Sequence, residues 1–348
     1  MKKIVCIIIA VLALWACNKT PGEPVVKEPE GIAILNEGSY GYNNSTITVY
    51  DLKTREISTD VFMRANSQAL GDTGQDMLVA GEDIYIAVNV SQVIYVTDKS
   101  FKIKKTIVHE IDGIGALSPR NCALADGKVY VTYYEGYLGE IDPSDGSVRT
   151  VPVGMNPEGL ACAGGKIYVA NSGGYNYPVY DNTVSVVDAS SFTVEKTLIV
   201  NTNPALMYAD SKGKHIYLSS LGNYADVPPM VQVINVADDS VADLDYSSPS
   251  CIALAGDVLY VMCAGYDAMW KPLPGTVYRH DALNNRAEGL FTETKVDQAY
   301  KVSASGDYVF VTSSDYVNTG DIYIFGKDGS LIDKFDTQGM NPSQGIIF

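Results

Sequence analysis

The chain has 348 residues, with 41 acidic against 25 basic side chains and a formal net charge of −16. Such a charge repels phosphate backbones and therefore excludes nucleic acid as a partner. The three histidines, His109, His215 and His280, are scattered, and no HExxH, GxSxG or phosphate-loop motif occurs. The sequence thus predicts a protein that is not an enzyme, with no catalytic residues, no metal site and no cofactor.

The N-terminus carries the features of a bacterial export signal. Lys2 and Lys3 precede an apolar run that is too short to span a membrane with its present flanks and that stops at Cys17. The sequence Leu-Trp-Ala-Cys at 14–17 resembles a lipobox, although Trp15 departs from the usual small residue. We therefore predict a lipoprotein signal peptide at 1–16, lipidation of Cys17 and a proline-bearing tether at 17–30. Ordinary secretion with cleavage nearby is the alternative.

From residue 31 onward, one phrase recurs with a spacing of about 40–50 residues, which is typical of β-propeller blades. The phrase is a glycine-bearing turn followed by a strand of alternating apolar residues. A degenerate copy begins at Gly31, and the clear copies begin at Gly81, Gly127, Gly165, Gly213, Gly256 and Gly306. Each copy is followed by a strand that ends at a turn-starting residue: Asp51, Asp98, Asp142, Asp188, Asn235, Asp281 or Gly326. An outer strand and an inner strand, often opened by proline, bring the count to four strands per unit, labelled a to d from the axis outward.

The last inner-strand phrase, NPSQGIIF at 341–348, stands alone at the end of the chain. The first unit, which begins at Gly31, lacks such a strand. We therefore expect the C-terminal segment to supply strand a of blade 1, which leaves no exposed inner edge. Residues 31–348 are predicted to form an all-β, seven-bladed β-propeller with four-stranded blades, closed by the C-terminal strand.

One set of loops has an unusual composition. The b–c loops hold eleven of the 24 tyrosines together with Trp270, and they share a face with the d–a crossovers. Tyr, Asn, Ser and Gly supply flat apolar surface and adaptable hydrogen bonding at low entropic cost, as antibody paratopes do. The expected ligand is large, flat and rich in amides or hydroxyls. We predict apolar walls from Tyr42, Tyr134, Tyr137, Tyr175, Tyr224, Tyr266, Trp270 and Tyr316. We predict polar contacts from Asn43, Gln75, Asp76, Arg120, Asn121, Gln298 and Tyr300. Glu158 and Gln344 are further polar groups on the d–a side near the axis. Packing of loop against loop is the alternative role for any one tyrosine.

The stretch ILNEGSYGYNNSTITVYD at 34–51, with the repeated IYV and NP phrases, resembles the YVTN/surface-layer-like propellers of Bacteroidetes lipoproteins. The resemblance covers essentially all of residues 31–348. Within that family the chain is most similar to the cobalamin-capturing surface lipoproteins partnered with the outer-membrane cobalamin transporter. The resemblance implies a corrinoid receptor that passes its ligand to a TonB-dependent transporter and that is lipid-anchored in the outer membrane, facing the cell surface. No motif for cobalamin contacts carries over residue by residue.

Two other functions remain open on the sequence. Many propellers are platforms for protein docking, and a glycan would also suit a neutral, tyrosine-rich face. A lyase or lactonase is disfavoured because histidine and carboxylate ligands are not clustered.

Overall fold

The computed structural model describes residues 31–265, 269 and 273–348; the predicted signal peptide, Cys17 and the tether lie outside them. The described chain forms seven four-stranded antiparallel sheets, each built in the order a-b-c-d. In the order a to d, blade 1 consists of Pro342–Ile347, Gly31–Asn36, Thr46–Asp51 and Ile57–Ser58. Blade 2 consists of Gly74–Ala80, Asp83–Val88, Val93–Thr97 and Ile103–Ile107. Blade 3 consists of Pro119–Ala125, Lys128–Tyr133, Tyr137–Ile141 and Val148–Pro152. Blades 4 and 5 are Pro157–Ala163, Lys166–Asn171, Thr183–Asp188, Thr193–Ile199; and Pro204–Ala209, His215–Ser220, Met230–Asn235, Val241–Leu244. Blades 6 and 7 are Pro249–Ala255, Val258–Cys263, Thr276–Asp281, Arg286–Leu290; and Ala299–Ser305, Tyr308–Ser313, Thr319–Gly326, Leu331–Met340.

The C-terminal strand closes the ring, as the sequence predicts. It pairs antiparallel with strand b of blade 1, with Ile346 opposite Ala33. Two backbone N–H groups of the same strand donate to blade 7: Gly345 to Ser303 Oγ at 2.8 Å and Ile347 to Ser305 Oγ at 3.1 Å. Because every inner strand also contacts the inner strands on both sides, the described chain is a seven-bladed β-propeller without an open seam.

The repeated aromatic residue of strand b forms the core between blades. At this position stand Tyr85, Tyr130, Tyr168, Tyr217, Tyr260 and Phe310, all at most 3% exposed. A buried phenol requires a hydrogen-bond partner for its hydroxyl. Tyr168 donates to Asp239 at 2.7 Å, and Tyr217 donates to the carbonyl of Ala282 at 2.8 Å. The repeated aromatic residue in the sequence therefore marks the place where one blade packs on the next.

Two small elements depart from the pure repeat, and both lie in d–a crossovers. A helix, Val61–Asn66, buries Phe62 against the ring of Tyr95, and a hairpin pairs Glu110–Ile111 with Gly115–Ala116. These two crossovers are longer than those that enter blades 4 and 5, so they form short helical or hairpin structure between one blade and the next. Within the described residues, no helix is long and apolar enough to cross a membrane.

Candidate functional site

The b–c loops and the d–a crossovers are joined by hydrogen bonds on one face of the ring, here called the upper face. The residue before strand a is left-handed in several blades, for example Asn156, Asn203 and Asn341. Asparagine tolerates this conformation better than most residues. The carbonyls of these asparagines accept N–H bonds from the b–c loops: from Ser172 at 3.2 Å, Leu221 at 2.9 Å and Glu37 at 3.0 Å, respectively. This geometry explains the repeated NP phrase and fixes both sets of loops relative to the axis.

A β-bulge follows the first residue of each inner strand. In blade 3 the pairing shifts between Pro119 and Cys122, and in blade 7 it shifts between Ala299 and Val302. A bulge re-aims the side chains of the extra residue and its neighbour. The bulged positions hold the polar side chains Gln75, Arg120, Asn121, Glu158, Tyr300 and Lys301. The bulges of blades 2, 3, 4 and 7 therefore present an incomplete ring of polar groups beneath the loops of the upper face, and the bulge of blade 5 holds Ala205 and Leu206 instead.

Arg120 links three blades at the centre of this ring. Its guanidinium donates to Glu158 Oε2 at 2.6 and 2.8 Å and to Gln75 Oε1 at 2.6 Å, and it lies 4.9 Å from the ring centroid of Tyr134. The side chains of Arg120 and Glu158 are only 19% and 16% exposed, so water screens this ion pair little. Burial and the charge of Glu158 together raise the pKa of Tyr134 to about 12. The site thus has a braced, nearly neutral centre.

Tyr300, Lys301 and Glu37 extend this centre across the ring. The Tyr300 hydroxyl donates to Glu37 Oε2 at 2.5 Å, and the Lys301 ammonium lies 5.3 Å from the centroid of the Tyr300 ring. Burial opposes the charge of Lys301, but the carboxylates of Glu37 and Glu158 favour it, and the pKa of Lys301 is raised. The centre therefore combines two cations with two carboxylates that belong to different blades.

Asp76 and Asn121 lie deeper, along the central channel. A cavity of about 310 Å³ is lined by both residues together with Tyr208, Gln344 and the neighbouring inner strands. Asp76 accepts hydrogen bonds from the backbone N–H of Cys122 and from the side chain of Gln344, both at 2.8 Å. Burial nevertheless raises the pKa of Asp76 to about 6. The lining of this cavity is thus mostly apolar, and its buried carboxyl group is hydrogen-bonded within the protein.

Tyrosines surround this centre and stand out into solvent. Their exposed fractions are 76% for Tyr42, 77% for Tyr175, 62% for Tyr224 and 61% for Tyr316. Tyr175 packs edge-on to Tyr134 with centroids 4.7 Å apart, and Tyr316 packs edge-on to Tyr300 at 5.6 Å. Tyr224 and Tyr316 are both left-handed, with φ of 58° and 61°, a conformation that is an outlier for a bulky residue. Such outliers concentrate at functional sites.

Not every residue of the sequence-based set joins this group. Tyr137 is the first residue of strand c in blade 3 and packs, half-buried, against the core between blades 2 and 3. Gln298 is exposed and left-handed, and its carbonyl accepts the N–H of Ser314, so it supports the entry to strand a. Asn43 lies exposed beside Tyr42 in a left-handed turn. Tyr266 and Trp270 lie outside the described residues.

Two further residues belong to the site but were absent from that set: Glu37 and Lys301. Lys301 occupies a bulged position equivalent to that of Asn121, so alignment of the seven inner strands was the signal that could have identified it. Glu37 reaches Tyr300, which lies 263 residues away in the chain. No local pattern in the sequence indicates that contact.

Comparison with known proteins supports the fold and leaves the ligand open. A family described as a domain of unknown function, DUF5074, matches residues 30–329. No protein of curated function matches the chain. Among solved structures, a functionally unknown protein from Desulfotomaculum acetoxidans is similar at a TM-score of 0.63 and 11% identity, over 91% of this chain and 98% of that one.

Two other solved structures are similar at a lower score. The computationally designed Ika8 protein has a TM-score of 0.55 and 12% identity over 90% of each chain. The WD40 domain of Neurospora crassa Pan2 has a TM-score of 0.53 and 11% identity over 79% of each chain. At these identities the likeness shows the fold alone, and the site must be interpreted from its own chemistry.

Proposed function

We propose that this chain, a member of the DUF5074 family, is a non-enzymatic receptor that binds a corrinoid on its upper face. The observation that carries the proposal is the set of exposed tyrosines arranged around a braced polar centre. Exposed apolar groups that concentrate in one patch are typical of an interaction surface, and here the exposed tyrosines concentrate on one face.

The chemistry of the site favours a broad neutral ligand. The centre holds two cations, Arg120 and Lys301, and two carboxylates, Glu37 and Glu158, so it offers both donors and acceptors without a dominant charge. A corrin ring fringed with amides matches this mixture, since each amide both donates and accepts. The tyrosine faces would cover the apolar parts of such a ring. A rigid scaffold that is already hydrogen-bonded needs little ordering on binding, which favours tight affinity.

The N-terminal sequence supports a location for this receptor. Lipidation of Cys17 would anchor the propeller to the outer membrane through the tether at 17–30, with the propeller facing the cell surface. A receptor held there would release its corrinoid to a TonB-dependent outer-membrane transporter. The tether leaves the propeller free to turn its upper face toward that transporter.

Protein docking is the second candidate function. Met155, Val179 and Val317 are 56%, 76% and 76% exposed on loops of the upper face. An apolar rim of this kind is typical of a protein-contact surface. In this alternative the same face would bind a protein or a glycan at the cell envelope without capturing a vitamin.

Titration of the chain lacking residues 1–17 with cyanocobalamin tests the proposal. We expect heat and a visible spectral change at micromolar protein. Tyr175→Ala and Tyr224→Ala should each weaken binding by about 2 kcal/mol. The matched control is Lys212→Ala, an exposed change in an a–b turn on the opposite face, which should bind like the unmodified chain.

Absence of any heat or spectral change would eliminate corrinoid binding and leave protein docking as the favoured function. Binding that persists in both tyrosine variants but disappears on Ala substitution of Tyr266 and Trp270 would keep the function and move the site toward blade 6. Equal loss in Lys212→Ala would contradict the assignment of the upper face.

A further inference from the structure

The aromatic groups of the upper face differ in whether a cationic side chain already lies over one of their rings. The Tyr134–Tyr175 pair has the guanidinium of Arg120 4.9 Å from the Tyr134 centroid. The Tyr300–Tyr316 pair has the ammonium of Lys301 5.3 Å from the Tyr300 centroid. A third group, formed by Tyr177, Tyr180 and Tyr224, has no Lys or Arg over any of its rings among the residues described.

This third group, here called the tyrosine corner site, has three walls. The rings of Tyr177 and Tyr224 stand at 71° and 73° to the ring of Tyr180, with centroids 6.1 and 6.0 Å from it. Tyr177 and Tyr224 are 71% and 62% exposed, whereas Tyr180 is half-buried. Tyr180 is therefore the inner ring of the three, and the rings of Tyr177 and Tyr224 pack edge-on to it and expose most of their surface to solvent.

The walls are held in place by the backbone around Asn203. The N–H of Asn203 donates to the carbonyl of Asp181 at 2.8 Å, and the N–H of Asp181 donates to Ser172 at 2.9 Å, which fixes the residue next to Tyr180. In the facing loop, Asn223 Oδ1 accepts the N–H groups of Ala225 and Val227 at 3.0 and 2.8 Å. The turn that carries Tyr224 is thus braced from within, so the site needs little ordering to accept a ligand.

The electrostatic surroundings favour a cation. The two loops that carry the walls, residues 172–182 and 221–229, contain no Lys or Arg, and each contributes a carboxylate, Asp181 and Asp226. The faces of phenol rings carry negative potential, and perpendicular aromatic walls are the usual means of recognising quaternary ammonium groups. Burial raises the pKa of Tyr224. Of the two charged side chains that act on that pKa, Lys301 lowers it and Glu158 raises it.

We propose that the tyrosine corner site binds an N-methylated or quaternary ammonium group. In the other two tyrosine groups an internal side chain supplies the cation, and here the ligand would supply it. Methylation suits the site because a methylated ammonium is weakly hydrated and covers ring faces that a bare ammonium would leave to water. The inference does not depend on corrinoid binding, because it concerns a different chemical class. The two proposals share Tyr224, whereas Tyr177 and Tyr180 belong to the tyrosine corner site alone.

Saturation-transfer NMR with choline chloride and the chain lacking residues 1–17 tests this proposal. We expect saturation of the choline methyl protons with millimolar or tighter affinity. The neutral isostere 3,3-dimethyl-1-butanol has the same shape without the charge, and it should bind at least about fivefold more weakly. Tyr180→Ala should weaken choline binding about tenfold, while Tyr180→Phe should retain most of it because the aromatic face remains. Tyr40→Ala is the control for loss of a surface tyrosine, since Tyr40 lies in a blade 1 loop and is 78% exposed, close to the 71% of Tyr177.

Three results would overturn the proposal: no saturation transfer to choline, equal affinity for the neutral isostere, or equal weakening by Tyr40→Ala and Tyr180→Ala. Tyr180→Phe keeps the proposal testable if Tyr180→Ala does not fold. A folded Tyr180→Phe variant that fails to bind choline would also contradict recognition by the ring face. Retention of cyanocobalamin binding in Tyr180→Ala would separate this site from the corrinoid proposal.

Discussion

The closure of the ring can be tested by a single methyl group at Gly345. A Cβ on this residue would stand 2.6 Å from Cγ and 2.7 Å from Cδ2 of Phe310, whereas ordinary carbon contacts lie near 3.5–4.0 Å. Phe310 is fully buried on strand b of blade 7, so its ring has no free space to enter. We expect Gly345→Ala to push the C-terminal strand away from blade 7 by about 1 Å and to cost about 1–3 kcal/mol of unfolding free energy.

Thermal unfolding followed by circular dichroism measures this cost. Scaling the usual unfolding entropy per residue to a domain of this size gives about 1.5 °C per kcal/mol, so Tm should fall by ~2–5 °C. The control is Gly265→Ala, where the nearest atom to the new Cβ is Ser248 Cβ at 3.7 Å. Phe310→Leu frees space, and the penalty of Gly345→Ala should be smaller in that background. An unchanged Tm, or the same penalty with and without Phe310, would refute the packing described for the closing strand.

Three other predictions follow, two from the structure and one from the N-terminal sequence. Deleting residues 341–348 should expose the edge of Gly31–Asn36 and lower the unfolding free energy by about 5 kcal/mol or more, and a truncated chain that melts like the full one would contradict ring closure. Burial raises the pKa of Asp76 from 3.8 to about 6, so the native state holds this proton more tightly than the unfolded state. The contribution of Asp76 to the unfolding free energy is therefore fully present below about pH 4 and is lost as the pH rises through about 6. In urea unfolding between pH 4 and 7, the unfolding free energy of Asp76→Asn should fall by about 3 kcal/mol less than that of the unmodified chain. Cys17→Ala should move the protein out of the membrane fraction, and persistence there would disprove the lipid anchor.

The fold was predictable because the same strand position packs each blade on its neighbour, and that position recurs along the sequence. Tyr85, Tyr168 and Tyr260 fill the same interblade space, so their spacing in the sequence reports the blade period. The orphan phrase at 341–348 indicated closure because an inner strand without a blade must pair elsewhere, and it pairs with Gly31–Asn36. The helix Val61–Asn66 was not predictable in this way, because it occurs in one crossover and belongs to no repeat.

The site was only partly predictable, since its contacts cross the ring. Loop composition identified the tyrosines of the upper face, but it could not separate Tyr134 from Tyr137. The two residues lie three positions apart, yet strand pairing places Tyr137 opposite Tyr133 at the start of strand c. Lys301 escaped notice because its position under the loops depends on a bulge that moves consecutive side chains. Where these side chains lie depends on strand pairing and on bulges, and the composition of a loop gives no information about either.

The most direct test of the central claim is the visible absorption spectrum of the protein purified from cells grown with cyanocobalamin. A corrinoid receptor should purify pink, with close to one corrinoid per chain. A variant carrying both Tyr175→Ala and Tyr224→Ala should purify with most of that colour lost while its thermal unfolding stays close to that of the parent. A colourless parent protein, or a variant as pink as the parent, would contradict corrinoid binding on the upper face.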